Sequence, residues 1–176
     1  KHHDLVSQVS EVRRSRRLVI SSIFTIGNYD YGFYWYLYLD GTIQMEVKLT
    51  GIVGVSAVTP ETHNAAQAPM IADGLASPVH QHLFCFRLDW ELDGGNNSLY
   101  ESEIDVMPLG EDNPDGTQFC SVSRHLTDEH SAKRNIAPQT SRHWKVTNPE
   151  KLNGLGMPVA YKLLPAASPS LFARPE

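Results

Sequence analysis

Asp40-Gly41-Thr42-Ile43-Gln44-Met45-Glu46-Val47-Lys48-Leu49 is the stretch whose reading decides the fold. Ile43, Met45, Val47 and Leu49 alternate with Thr42, Gln44, Glu46 and Lys48. A period of two places one set of side chains on each face of an extended chain, the pattern of a half-buried β-strand. Asp40-Gly41 is favoured turn chemistry, and an aromatic and apolar run, Tyr34 to Leu39, precedes it. The spacing predicts a β-hairpin over 31–39 and 42–55. Leu18 to Phe24 reads as a strand leading into it, carried by Val19, Ile20, Ile23 and Phe24. Downstream, Val79–Leu92 reads as a long strand and Ser98–Val106 as another. His143–Asn148 and Pro158–Leu164 read as short strands. The Ala/Pro/Gly/Thr-rich residues 59–78 read as a long loop, and so does "MPLGEDNPDGTQF". Residues 125–135 are charged, with one short helix or none. The expectation is an all-β chain, part of a large antiparallel β-sandwich with long crossing loops.

The bulk composition narrows the function classes. The chain has 176 residues, 41% hydrophobic and 20% charged, enough for one domain with a core. Its net charge of −5 gives no electrostatic reason to expect nucleic acid as a partner. No apolar run approaches a bilayer span, so no membrane partner is expected. The basic run Arg13-Arg14-Ser15-Arg16-Arg17 reads as a solvated segment pairing with nearby acids. Cys85 and Cys120 admit either one bridge or two buried free thiols. The chain opens on Lys1-His2-His3-Asp4 and closes on Phe172-Ala173-Arg174-Pro175-Glu176, and both ends read as cuts through a longer protein. Residues 1–176 are therefore read as an internal segment of a single domain, and localisation stays open.

Two features carry chemistry. The first is His80-Gln81-His82. On a strand, residues i and i+2 face the same way, about 6.5–7 Å apart along the backbone, so two imidazoles can lean over one metal. Neutral imidazole suits Cu(II) or Zn(II), and Phe84, Phe86 and Leu88 would continue the same face. Two histidines on a strand are also simply half-exposed polar residues, and a metal site needs a third ligand. His2, His3, His63, His125, His130 and His143 have no spacing that singles them out and are expected to face solvent. The second feature is Tyr29, between Asn28 and Asp30, in a segment with five tyrosines and one tryptophan from Thr25 to Gly41. Read alone, Tyr29 is one more packing aromatic with a satisfied hydroxyl.

Together these features resemble a family. Thr25-Ile26-Gly27-Asn28-Tyr29-Asp30-Tyr31 resembles the T-x-x-N-Y-D/E-Y signature of the copper-containing amine oxidases. His80-Gln81-His82 is similar to that family's H-x-H copper pair, and the flanks "DGTIQMEVKLTGI", "HLFCFRLD" and "NPEKLNGLGMPVAYKLLP" follow in the same order. The resemblance covers essentially the whole chain. It implies that Tyr29 is the precursor of topaquinone, the self-derived quinone on which a primary amine forms a Schiff base. It also implies that Asn28 restrains the quinone ring, that Asp30 supports it from behind, and that His80 and His82 bind copper(II). The implied activity is oxidation of primary amines by O₂ to aldehydes, with release of ammonia and hydrogen peroxide. The family's homodimeric assembly is implied as well. Asp89-Trp90-Glu91 resembles part of a peripheral Ca²⁺ site, with Glu91 where the family often has an aspartate.

The resemblance also implies what the chain lacks. The family's third copper histidine lies far downstream and its catalytic aspartate far upstream, so the segment alone is expected to be inactive. Two other classes compete with this reading. A cupin-like metal oxygenase also places His-X-His on a strand but leaves Asn28-Tyr29-Asp30 unexplained. A non-enzymatic β-sandwich interaction module predicts neither metal nor quinone.

Overall fold

The structure, a computed structural model, describes residues 2–61, 64–165 and 168–172. It is all-β with antiparallel sheets, and among the described residues the helical content is one 3₁₀ turn, Pro138–Thr140. The chain divides into two compact units, Lys1–His82 and Leu83–Glu176.

The first unit opens with two short strands, β1 (His2–His3) and β2 (Ser10–Glu11), paired with each other. Its main feature is an antiparallel meander of β3 (Arg17–Ile26), β4 (Tyr29–Tyr38) and β5 (Ile43–Gly51). β4 is the central strand and explains its own composition. Every residue of it is buried or half-buried, so both faces carry large side chains, whereas edge strand β3 is exposed throughout. The predicted hairpin is present, but its connection is longer than a two-residue Asp-Gly turn. Tyr38 N–H donates to Thr42 O (2.9 Å) and Gly41 N–H to Tyr38 O (3.1 Å), with Gly41 at φ 84°. This is a three-residue loop, a turn closed by a left-handed residue that glycine supplies without strain. Asp40 accepts from Thr42 N–H (2.9 Å), which holds its carboxyl below the usual carboxylate range.

The basic run is exposed throughout, as read. Arg13 pairs with Glu11 (3.0 Å) on the surface. Arg17 turns back over the sheet, its guanidinium 3.8 Å from the centroid of the Tyr36 ring and donating to the Tyr38 hydroxyl (2.8 Å). The buried Tyr36 hydroxyl in turn donates to Glu46 (2.6 Å).

Two expectations need correction. The loop over 59–78 contains two short strands, which pair with a third just before it. β6 (Ser56–Ala57), β7 (Met70–Ala72) and β8 (Leu75–Ala76) form a small sheet in the order β6-β8-β7. Ladders of two or three residues are too short to print a period. Conversely, Val79–Leu92 has no ladder among the described residues. Its alternation reports where side chains face, but a strand also needs a neighbouring backbone in register. Here the backbone is tied at its ends by loop contacts, Val79 N–H to Gln67 O (2.8 Å) and Leu92 N–H to Asn97 Oδ1 (2.8 Å).

The second unit is a four-stranded antiparallel sheet. Its strands are β9 (Ser98–Val106), β10 (Phe119–Leu126), β11 (His143–Leu152) and β12 (Pro158–Leu163), in the order β10-β9-β11-β12. The sequence reading missed β10, because its serines blur the alternation of Cys120, Val122, Arg124 and Leu126. No α-helix forms over 125–135, where Asp128 instead closes a turn by accepting from Ser131 N–H (2.8 Å). Cys85 and Cys120 are unbridged, and both are exposed rather than buried. At described residues no helix is long and apolar enough to cross a membrane.

Glu101 and Glu103, i and i+2 on β9, form an ionic centre the sequence did not announce. Glu101, 1% exposed, meets Arg134 (2.8 Å), Arg124 (3.5 Å) and Arg142 (3.6 Å). Glu103 meets Arg124 and Arg142, each at 2.8 Å, and accepts from Thr140 (2.9 Å). Hydrogen bonds from Arg124 first, then Thr140 and Arg142, hold the Glu103 carboxyl below its ordinary 4.5. A depressed folded-state value stabilises the fold above the unfolded value, and that contribution disappears as pH falls through the folded one. The thermal midpoint should therefore fall as acid is added below about pH 4.5. Glu103→Gln should lower the neutral-pH midpoint and flatten that acid limb, as measured by thermal melts across the range.

Candidate metal and cofactor site

The site grows from one tight hairpin. β3 and β4 are joined by Gly27-Asn28, with Ile26 opposite Tyr29 and Gly27 at φ 60°. A positive φ at the first central position suits a two-residue turn that follows the strand twist. Gly-Asn between two strand runs was a readable hairpin signal that the strand assignment passed over. The turn brings Thr25 directly opposite Asp30. Thr25 Oγ1 donates to Asp30 Oδ1 at 2.5 Å, which ties together two positions of the Thr-x-x-Asn-Tyr-Asp segment. Asp30 is half-buried by this pairing, while Asn28 is exposed at the turn.

Tyr29 is the first residue of β4, and the end of β5 crowds against it. Gly51 stands opposite, at φ 100°, and accommodates no side chain. A Cβ there would lie 2.5 Å from Asn28 O, 2.8 Å from Asp30 N and 2.9 Å from Tyr29 Cα. All three are backbone atoms, so relief requires moving the hairpin. Gly51→Ala should cost about 2–3 kcal/mol in denaturant unfolding, from the left-handed backbone and the clash together. Beyond it, Gly54 N–H donates to the Tyr29 hydroxyl (3.0 Å).

The two histidines converge on this tyrosine. The His80 and His82 rings lie 4.7 Å apart, and Tyr29 lies 5.7 Å from the first and 5.0 Å from the second. His80 Nδ1 is 2.7 Å from Pro78 O. A carbonyl only accepts, so this nitrogen carries the proton and Nε2 keeps its lone pair. The Tyr29 hydroxyl, 3.2 Å from that Nε2, donates to it. Tyr29 is thus satisfied on both sides, accepting from Gly54 and donating to His80. The lone pair it meets is the one a metal ion would take. His82 Nδ1 lies 3.1 Å from the hydroxyl of Tyr31, a contact that sequence reading did not assign. The structure brings Tyr29, His80 and His82 together without the strand that was expected to carry the pair.

Two neutral imidazoles with an adjacent phenol are a donor set that suits copper(II). Among the described residues no group of three His, Cys, Asp or Glu side chains forms. His2, His3, His125 and His130 are exposed as expected; His63 lies outside the described residues. His143 departs from expectation, being half-buried with Nδ1 3.0 Å from Ser141 O. Asp89 and Glu91 are exposed and Trp90 packs on Tyr161, its ring centroid 5.9 Å away, with no third acidic group alongside among the described residues.

Comparison with known proteins is consistent with this geometry. The family model described as "Copper amine oxidase, enzyme domain" matches residues 1–176. Histamine oxidase of Arthrobacter globiformis is 47% identical over 171 residues, 97% of this chain and 25% of that protein. Primary amine oxidase of Arthrobacter sp. (strain P1) is 44% identical over 176 residues, 100% of this chain and 27% of that protein. A copper-containing benzylamine oxidase from Hansenula polymorpha superposes with a TM-score of 0.85 at 25% identity, covering 98% of this chain and 27% of that one. The chain thus spans about a quarter of the length of the relatives it matches. These matches do not favour the cupin-like oxygenase or the interaction module. With the family model matched from end to end, the chain belongs to the copper amine oxidases, within their enzyme domain.

Proposed function

We propose that the protein carrying this chain converts a primary amine, O₂ and water into an aldehyde, ammonia and hydrogen peroxide. Tyr29 is the source of topaquinone, and His80 and His82 are two of the copper ligands. The observation that carries the reading is the Tyr29 hydroxyl on His80 Nε2, with both imidazole rings within 5.7 Å of the Tyr29 ring. Copper and the quinone supply the electrophilic carbonyl and the electron acceptance. The chain's own residues do the positioning. Gly51 and Gly54 let backbone press against Tyr29, and Pro78 O sets the His80 tautomer. The Thr25–Asp30 bond fixes the hairpin from which Tyr29 projects. Residues 1–176 are, on this reading, one segment of a larger catalytic β-sandwich domain in a homodimer, with the third copper ligand and the catalytic base supplied from elsewhere.

The names of the relatives indicate which amines to try. One is a histamine oxidase, one a copper methylamine oxidase and one a benzylamine oxidase. The test is hydrogen peroxide release by the full-length, copper-loaded protein offered histamine, benzylamine and methylamine in turn. Amine-dependent peroxide with at least one of them is expected. No release from any of the three, in protein that holds copper, would remove the proposal.

A further inference from the structure

We propose that Tyr31 is a positioning residue for the metal site. Its hydroxyl accepts the Nδ1 proton of His82 and leaves the Nε2 lone pair of that imidazole for the metal. The inference rests on the copper reading above and assigns a residue that reading leaves without a role.

A neutral imidazole has one protonated nitrogen and one lone pair. For His80 the question is settled by a carbonyl, because Pro78 O can only accept. His82 Nδ1 faces a hydroxyl, 3.1 Å away, which can donate or accept. Were Tyr31 the donor, the His82 proton would sit on Nε2 and both nitrogens would be withdrawn from ligation. With Tyr31 as acceptor, His80 and His82 offer matching Nε2 lone pairs from rings 4.7 Å apart. Only the second arrangement makes the pair a ligand set, and outer partners of this kind tune metal affinity.

The placement of Tyr31 is not incidental. It lies two residues after Tyr29 on β4, on the same face, paired with Phe24 on one side and Leu49 on the other. The central strand of the meander therefore carries both the phenol at His80 Nε2 and the phenol at His82 Nδ1. One rigid element registers two imidazoles. Tyr31 and His82 are both half-buried, which limits competition from water for their hydrogen bond. The rings also pack, with centroids 5.5 Å apart, so a purely steric role is the alternative to be separated. Tyr31→Phe does so, since it keeps the ring and removes the hydroxyl alone.

The experiment uses the full-length protein stripped of metal and titrated with copper(II) alone, against a competing chelator and by electron paramagnetic resonance. Wild type should bind, His82→Ala should lose affinity, and Tyr31→Phe should bind about 10–100-fold more weakly with altered copper hyperfine splitting. A crystal structure of copper-loaded wild type needs no variant and should show His82 ligating through Nε2, with Tyr31 Oη still at Nδ1. Wild-type affinity and spectrum in Tyr31→Phe, or ligation through Nδ1, would overturn the inference and leave the copper reading standing. Copper binding that His82→Ala does not change would overturn the copper reading, and the inference with it.

Discussion

Tyr29→Phe should reduce amine-dependent peroxide release by the full-length protein to background, a loss of at least about 10³-fold. The substitution removes one oxygen atom. The ring stays on β4, still able to pack against His80 and His82, and Gly51 still closes on the backbone behind it. What disappears is the hydroxyl that accepts from Gly54 N–H and donates to His80 Nε2. Two lost hydrogen bonds at a half-buried site cost stability of about 1–2 kcal/mol, far too little to explain such a loss of activity through unfolding. Copper binding should persist, because neither imidazole is touched. A folded, copper-bound, inactive variant separates a cofactor role for Tyr29 from a packing role. If Tyr29→Phe kept substantial activity, Tyr29 would be an ordinary strand tyrosine.

His80→Ala should have an effect of comparable size by a different route. It removes one of the two imidazoles the segment offers, and copper affinity should fall by more than about 100-fold, beyond the range for outer partners of a ligand. It also leaves the Tyr29 hydroxyl without its acceptor. Oxygenation of the phenol should then fail, so the variant should be inactive and its Tyr29 chemically unchanged. Metal analysis after dialysis, with the mass of the Tyr29 peptide, reads both parts. Retention of copper at the wild-type level would show that His80 is not a ligand.

Much of the fold was legible because the signals are local. Ile43 to Leu49 alternates cleanly, and β5 lies over it. The aromatic density of Tyr34 to Leu39 marked a strand loaded on both faces, and β4 is the central strand of its sheet. Where the reading failed, the missing information was non-local. The alternation of Val79–Leu92 could not reveal whether a neighbouring backbone was in register with it. The serines of β10 carry little hydropathy contrast, and its partner β9 lies across a long loop. The Glu101–Glu103 centre joins β9 to Arg124, Arg134 and Arg142, which lie well downstream of it in the chain.

The candidate site divides the same way. Tyr29, Asn28, Asp30, His80 and His82 came from the resemblance to the family's motifs, and the hairpin gives the first motif's spacing a physical reason. A two-residue turn sets Thr25 against Asp30 and leaves Tyr29 as the next residue outward. Gly51, Gly54, Pro78 and Tyr31 were not legible as site residues. Their contributions are a backbone approach, an N–H, a carbonyl and a hydroxyl aimed at an imidazole, none of which has a sequence signature of its own.

The most direct test of the central claim is the mass of the tryptic peptide Leu18–Lys48, from full-length protein matured with copper and air. The account predicts a gain of two oxygen atoms and a loss of two hydrogens, localised by fragmentation to Tyr29 rather than to Tyr31, Tyr34, Tyr36 or Tyr38. An unmodified Tyr29 in protein that has bound copper would contradict it.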